Sequence, residues 1–465
     1  MGDRKTATAF FNQGLQANQQ KGDDPKLGAH AYQLFASACF ADPTWFHAYY
    51  QCGNNNSDLK LYFSAIADWR RALECEAPDK ERAKACANLG WRLHTVGYTN
   101  EAEQVSIEAI KLDPTCANAL MNLSMIYTVH DQPDRAVSCA EKAHALENSP
   151  MSEFNLAFAY LFNRQFAQGF KHFESRFAYK LKEFLQYPYP KWDGEPDKIV
   201  FLAADQGMGD TLSFARFVPE LCRRSKYVIA RIQAPLLKLF MHAFVGIKNL
   251  ELIPAAYPFP AADAWTTFVS LPANLRLTDD EIRAAPPIEA GSWSVPNNWL
   301  VPDRKLHVGV AWAGSPLNDI DHHRNLPCHL FLEFFRVPGV QLYSLQVGDR
   351  AQDMHTLGGG SLIRDVAPYI TDVTDTLAIL RRLDLVISVE SFLPHLCSLV
   401  GKECWLPYSY LGRDYRLGCT GTDRLWTPNH RVFRQGPDLD WRPVFRNIVD
   451  ALREKLDVRR APPEA

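Results

Sequence analysis

Small and apolar residues recur along the first third of the chain at a steady interval. Ala31, Ala38 and Pro43 are followed by Gly53, Ala65, Ala72 and Pro78. Gly90, Ala102, Ala109 and Pro114 come next, then Ser124, Ala136, Ala143 and Pro150. Between these markers, stretches such as ANLGWRL and MNLSMIY carry apolar residues at three- and four-residue steps, the spacing of one helix face. After YKLKEFLQYPYPKWDGEP, a linker rich in Pro and aromatic residues, the pattern changes. The short apolar runs IVFLAA, YVIARI, WTTFVSL, HVGVAWA, VQLYSLQ, DLVISV and ECWLPY alternate with helical stretches such as SFARFVPELCRRS and DTLAILRRL. Strands alternating with helices predict parallel sheets covered on both faces, here two of them.

Leu89 to Leu123 spans thirty-four residues, the tetratricopeptide period. In such repeats small residues mark where two antiparallel helices cross closely, and Pro ends the second helix. A weaker unit follows at NLAFAYLFNRQFAQGFKHFESRF, with Leu156, Tyr160, Gly169 and Phe173. The segment CGNNNSDLKLYF and an insertion before Arg82 make the early repeats irregular. An array of this kind exposes a concave groove suited to a peptide. Trp45, Tyr49, Trp69 and Trp91 are candidates either for lining it or for inter-helix core. WSVPNNWLVPDRK, where Pro and Asn interrupt both periods, divides the two sheets. The expected organisation is a repeat domain over 1–180, a first lobe over 195–298, a second over 299–455, and a tail over 456–465.

With 465 residues, 47% of them hydrophobic, the chain can bury large cores in two or three domains. A net charge of -3 with no long block of one sign makes duplex nucleic acid an unobvious partner. No stretch is apolar and long enough to span a bilayer, and MGDRKTATAFFNQG lacks the apolar region of a secretion signal. Eleven dispersed cysteines without a C-x-x-C pair read as reduced thiols, and the expected location is cytoplasmic.

Ligands of open parallel sheets sit beyond the C-terminal ends of the strands, and three loops at that edge carry candidate chemistry. In DQGMGDT, Gly207 and Gly209 permit tight backbone turning, and the following helix presents free amides. Asp210 there is placed either as a general base or as a helix N-cap. Asp205, Gln206, Gly207 and Gly209 form the rest of this loop. AWAGSPLNDIDHHRN supplies Ser315, His322, His323 and Arg324. Adjacent histidines seldom meet one ion, so no metal is expected, and Arg324 is a phosphate clamp. In ISVESFLPHLCSLVGKECW, the amides of Ser391, Phe392 and Leu393 at a helix start form an anion-binding nest, with His395 on the first turn. No loop matches G-x-x-x-x-G-K-[ST] or G-x-G-x-x-G, which weakens ATPase and nicotinamide readings.

KWDGEP, DQGMGDTLSFARFVP, VSLPANL, VGVAWAGSP, RNLP, YSLQ, DTLAILRRLDLVISVES, HLCSLVGKECW and FRQ follow one another in an order that resembles bacterial tetratricopeptide-repeat glycosyltransferases. The C-terminal half is similar to heptosyltransferases, and the overall plan resembles O-GlcNAc transferases. The resemblance runs from about residue 30 to 455. It implies an α-solenoid of tetratricopeptide repeats followed by an α/β GT-B fold with two Rossmann-like lobes. Acceptor would lie toward the first lobe and the sugar nucleotide on the second. By the same resemblance Asp210 is the catalytic base. Glu390, standing where the family has Asp, touches the sugar or orders its loop. Ser391, Phe392 and Leu393 bind the diphosphate, His395 supports that turn, and Ser315 and Arg324 reach phosphate from the other side. Asp205 stands where Glu is common and Ser213 where Gln is common, Phe392 and Pro394 replace small residues, and GRDYRLGCTGTDRLWTP follows the family's tryptophan-rich pattern only loosely.

The expected activity is inverting, metal-independent sugar transfer from a nucleotide-sugar co-substrate, without a cofactor, to a protein acceptor recruited by the repeats. A glycan, lipid-linked or modified-nucleobase acceptor is the alternative within the same chemistry. A non-catalytic repeat scaffold with an inactive transferase lobe is the alternative outside it.

Overall fold

A computed structural model describes residues 3–22, 24–296, 298–314, 321–356, 362–412, 414–418 and 424–460. Among the described residues, nine helices fill the first part: α1 (Arg4–Gln20), α2 (Pro25–Ala41), α3 (Phe46–Asp58), α4 (Tyr62–Leu73), α5 (Asp79–Thr95), α6 (Thr99–Leu112), α7 (Ala117–Val129), α8 (Pro133–Leu146) and α9 (Pro150–Phe162). Successive helices pack as hairpins, α1 on α2, α3 on α4, α5 on α6 and α7 on α8. The repeating alanines explain the close packing: Ala31, Ala38, Ala65, Ala72, Ala102, Ala109, Ala136 and Ala143 are all fully buried. A Cβ on Gly90 would come within 2.5 Å of the Ser106 hydroxyl, and one on Gly53 within 2.5 Å of the Trp69 ring. This is a stack of tetratricopeptide-type helical repeats.

Two regularities in the stack lie outside the alanine pattern. Lys60, Gly97 and Asp131, at the turns inside successive hairpins, all take positive φ (62°, 95° and 55°). Asparagines on α5, α7 and α9 also reach back one repeat. Asn88 Nδ2 donates to Asn54 Oδ1 (3.0 Å), Asn122 Nδ2 to the Ala87 carbonyl (2.8 Å) and Asn155 Nδ2 to the Met121 carbonyl (3.4 Å). Among the expected groove aromatics, Trp69 is core, buried between helices, and Trp45 packs at 4.6 Å on Phe11.

The chain divides into two compact units, 1–163 and 164–465, so the repeat unit ends before the expected residue 180. The cause is aromatic. In α10 (Phe166–Phe173), Phe170 packs edge-on against Phe214 (5.4 Å) and Tyr415 (6.0 Å). In α11 (Arg176–Tyr179), Phe177 packs on Trp265 (5.1 Å). These helices belong to the core of the second unit.

Among the described residues, that unit holds two wholly parallel sheets. The first has the order β3-β2-β1-β4, from β1 (Ile199–Ala203), β2 (Tyr227–Ile232), β3 (Leu250–Pro254) and β4 (Ala264–Thr267). Phe201 of β1 stands between Ile229 and Trp265 in register. The second has the order β10-β9-β8-β5-β6-β7. Its strands are β5 (Leu306–Ala311), β6 (Val340–Ser344), β7 (Arg364–Asp365), β8 (Leu385–Ser388), β9 (Cys404–Tyr408) and β10 (His430–Arg434). WTTFVSL departs from its expected form. The strand ends at Thr267 and the rest coils helically, with Ser270 turned inward to the buried Arg176. The segment expected as a tail also departs: the helix Arg442–Arg460 runs into it, with Leu456 in the second core. Among the described residues no helix is long and apolar enough to cross a membrane.

Candidate functional site

Both sheets are wound in two directions from a central strand, β1 in the first and β5 in the second. Crevices therefore open beside the loops after β1 and β4, and after β5 and β8. The described residues of the candidate loops, around 205–210, 312–314 and 389–392, all lie at these points.

The loop after β1 leads into α12 (Met208–Phe214), whose N-cap is Gly207. Asp210 is therefore a first-turn residue and not the N-cap, and its carboxylate is used elsewhere. Oδ1 pairs with Arg416 Nη1 at 3.0 Å. Arg416 also donates through Nε to Asp414 Oδ1 (2.8 Å) and through Nη1 to Ser213 Oγ (3.4 Å). Ser213 Oγ in turn meets His395 Nδ1 at 3.0 Å. One buried guanidinium thus ties a carboxylate of the first lobe to one of the second. Burial raises the pKa of Asp210, and Arg416 opposes that rise. Asp414, facing the same guanidinium more closely, is held below the usual range despite its burial. Burial and the Arg416 charge press His395 down to about 3, so it is neutral at any physiological pH.

Neither glycine of this loop takes the strained turn expected of it. Gly207 has φ -61°, and neither it nor Gly209 is among the positive-φ residues. A Cβ on Gly209 would lie 2.6 Å from His395 Cδ2. Gly209 is thus needed for the approach of the opposing helix and not for a turn. Gln206 is fixed through its carbonyl, which accepts from Gln233 Nε2 (3.1 Å). Asp205 is turned away from the crevice into the lobe. Its side chain is fully buried and receives both Nε (2.9 Å) and Nη2 (2.7 Å) of Arg176. Arg176 spends its other donors on Thr267, Ser270, Glu174 and the Phe173 carbonyl. Asp205 therefore anchors the loop from behind and does not present a group to the crevice.

On the second lobe, Arg324 is 8% exposed and donates through Nη1 to the Glu390 carbonyl (3.1 Å), with the Glu390 carboxylate at 3.9 Å. A Cβ on Gly314 would meet the guanidinium at 2.5 Å, so this glycine makes room for it. Burial, then the charge of Asp414, raises the Glu390 pKa, with Arg324 and Arg416 opposing. Ser391 is the N-cap of the helix Phe392–Leu399, with Phe392 and Leu393 in its first turn and Pro394, lacking an N–H, behind them. Ser315 lies outside the described residues. The crevice thus gathers Asp210, Glu390, Arg324 and His395 with the start of that helix. Arg416 and Asp414 join them, and Arg176 anchors the loop after β1 from behind; none of the three was singled out in the sequence. Asp414 and Arg416 lie in GRDYRLGC, where three charged residues crowded between two glycines were the available signal.

No family model matches the chain. It is similar to a curated relative, Protein FlbA of Caulobacter vibrioides. The two are 24% identical over 412 residues, which is 80% of this chain and 67% of FlbA. Among solved structures, a MamA protein aligns at 18% identity and TM-score 0.31, covering 39% of this chain and 96% of MamA. PilF of Pseudomonas aeruginosa aligns at 20% identity and TM-score 0.32, over 37% of this chain and 75% of PilF. A thermophilic TPR protein of Thermus thermophilus aligns at 19% identity and TM-score 0.30, over 38% of this chain and 93% of that protein.

Proposed function

We propose that the chain is an inverting, metal-independent glycosyltransferase of GT-B type that moves a sugar from a nucleotide-sugar donor to a protein held by the helical repeats. The observation that carries this reading is the placement of Asp210. It is a carboxylate with a raised pKa, on the first turn after a central strand, across from a helix start and a buried arginine on the facing lobe. In the proposed reaction an acceptor oxygen attacks the anomeric carbon from the face opposite the diphosphate. The bond from that carbon to the phosphate oxygen breaks, and its electron pair leaves with the diphosphate. Asp210 Oδ2 takes the acceptor's proton while Arg416 holds Oδ1. Arg324 and the amides at Ser391, Phe392 and Leu393 stabilise the charge on the leaving group. The repeat stack supports a protein acceptor, since stacked helical hairpins form extended peptide-binding surfaces.

The test is a thermal-shift screen of UDP-, GDP-, ADP-, CMP- and dTDP-linked sugars on the wild type and Arg324→Ala, followed by a transfer assay on Asp210→Asn. The expected result is a stabilising shift with one donor that Arg324→Ala loses. Asp210→Asn should still bind that donor but transfer about 10²–10⁴-fold more slowly, the usual share of a general base. A specific observation favours a second reading, a repeat scaffold whose transferase part is inactive. The cavity between Arg324, Glu390 and Tyr408 has a volume of about 10 Å³, room for a single water. No shift with any donor in folded protein would decide for that reading.

A further inference from the structure

Beside the Asp210–Arg416 pair lies a second, far larger cavity of about 390 Å³, within the range of roughly 300–1,000 Å³ typical of small-molecule sites. Its walls include Arg216, Arg283, Arg416 and Arg424, and no carboxylate side chain is among its described lining residues. It also meets the Phe392–Leu399 helix at His395, Ser398 and Leu399, and touches none of residues 390–393. It is therefore separate from the nest at that helix start.

Arg416 is neutralised by Asp210 and Asp414. Arg216 is held differently. Its Nε and Nη1 donate to the carbonyls of Ser213 and Ala285, each at 2.7 Å, and its guanidinium stacks 4.3 Å from the Trp426 ring centroid. Burial, then the charge of Arg416, presses its pKa down to about 9. Arg424 donates through Nη1 to the His430 carbonyl, while its buried Nε has no hydrogen-bond partner among the described residues. Thr427 Oγ1, on the same wall and 4% exposed, is also buried without a partner among the described residues. Carbonyl dipoles and an aromatic face do not cancel a buried positive charge. An anion in the cavity would offset it. Guanidinium forks match phosphate oxygens, and Trp426, Pro286 and Ile288 offer apolar wall for an organic remainder.

We propose that this cavity binds a phosphorylated small molecule whose phosphate oxygens are taken by Arg216 and Arg424. Arg416 lines the same space, so a bound phosphate competes with Asp210 for it. Occupancy of the cavity is thereby coupled to how tightly that carboxylate is held. The proposal does not rest on sugar transfer, because its readout is binding.

The test is calorimetric titration of the full chain with sodium pyrophosphate at fixed ionic strength. Two proteins are compared, both carrying Arg324→Ala so that the diphosphate clamp at the Phe392–Leu399 helix start is removed: that background alone, and the double variant Arg216→Gln/Arg424→Gln built on it. The background protein should bind saturably. The double variant should bind about tenfold more weakly or worse, the loss of roughly one charged hydrogen bond. Hydrogen exchange on the wild type gives a second readout independent of any variant's folding. Pyrophosphate should slow exchange in 212–217, 283–288 and 424–428. Absence of saturable binding overturns the proposal. So does binding that the double variant keeps, or protection confined to 389–393.

Discussion

Around Asp210, residue identity follows from what each group must face across the crevice. Gly209 is small because His395 stands where its Cβ would be, and His395 stays neutral because it is buried beside Arg416. The loop was legible as a site from its position between strand and helix. The partners were not, because Arg416 lies some two hundred residues away in a loop without periodicity. Glu390 offers a pH test. The fold raises its carboxyl pKa above the usual 4.5, chiefly by burial. Between the ordinary value and the raised one, the folded chain keeps a proton that the unfolded chain has lost. This contribution to stability is thus fully present below about pH 4.5 and disappears as pH rises through the folded value. Glu390→Gln imitates the protonated form and leaves the main-chain oxygen that Arg324 uses. Urea denaturation at a series of pH values should show the variant gaining on the wild type as pH rises, with the two converging near about pH 4.5. A constant difference at every pH would show that burial does not control this carboxyl.

Among elements, the buried strands were readable because their runs are almost wholly apolar: IVFLA, LHVGVA and LVIS lie inside a sheet with both faces covered. Three strands escaped for complementary reasons. HRVFR (β10) alternates buried and charged residues at a sheet edge, RD (β7) is two residues at the other edge, and LELIP (β3) interrupts its run with Glu251 on the outer strand of the first sheet. The helical hairpins were readable from their alanines, but their turns were not. Gly97 is the residue that its left-handed position favours, whereas Lys60 and Asp131 hold the same kind of position with a side chain. Lys60→Gly should therefore raise the stability of the repeats by about 0.5 kcal/mol, the left-handed strain relieved less the added chain entropy. Gly97→Ala should lower it by about 1 kcal/mol. Chemical denaturation of the two variants checks both signs, and a loss on Lys60→Gly would contradict the backbone argument.

At the scale of the whole molecule, periodicity overstated the repeat domain. NLAFAYLFNRQFAQGFKHFESRF keeps the helical spacing to its end. Yet Phe166, Phe170, Phe173 and Phe177 are all buried in the second unit. Spacing reports which face of a helix is apolar and is silent on what covers that face. A chain ending at Asn163 should thus be expressed as a soluble helical protein with one cooperative melt. One ending at residue 180 carries those four aromatic rings without their cover and should associate. Circular dichroism and light scattering on the two truncations distinguish them, and equal monodispersity would refute the assignment of α10 and α11. The asparagines of α5, α7 and α9 have a different consequence. Each bonds to a group roughly one repeat earlier, so every hairpin carries its own gauge for seating the next. Such a stack can be lengthened by copying whole units but not by inserting part of one. A few residues added within a hairpin would leave the next carboxamide facing the wrong carbonyl.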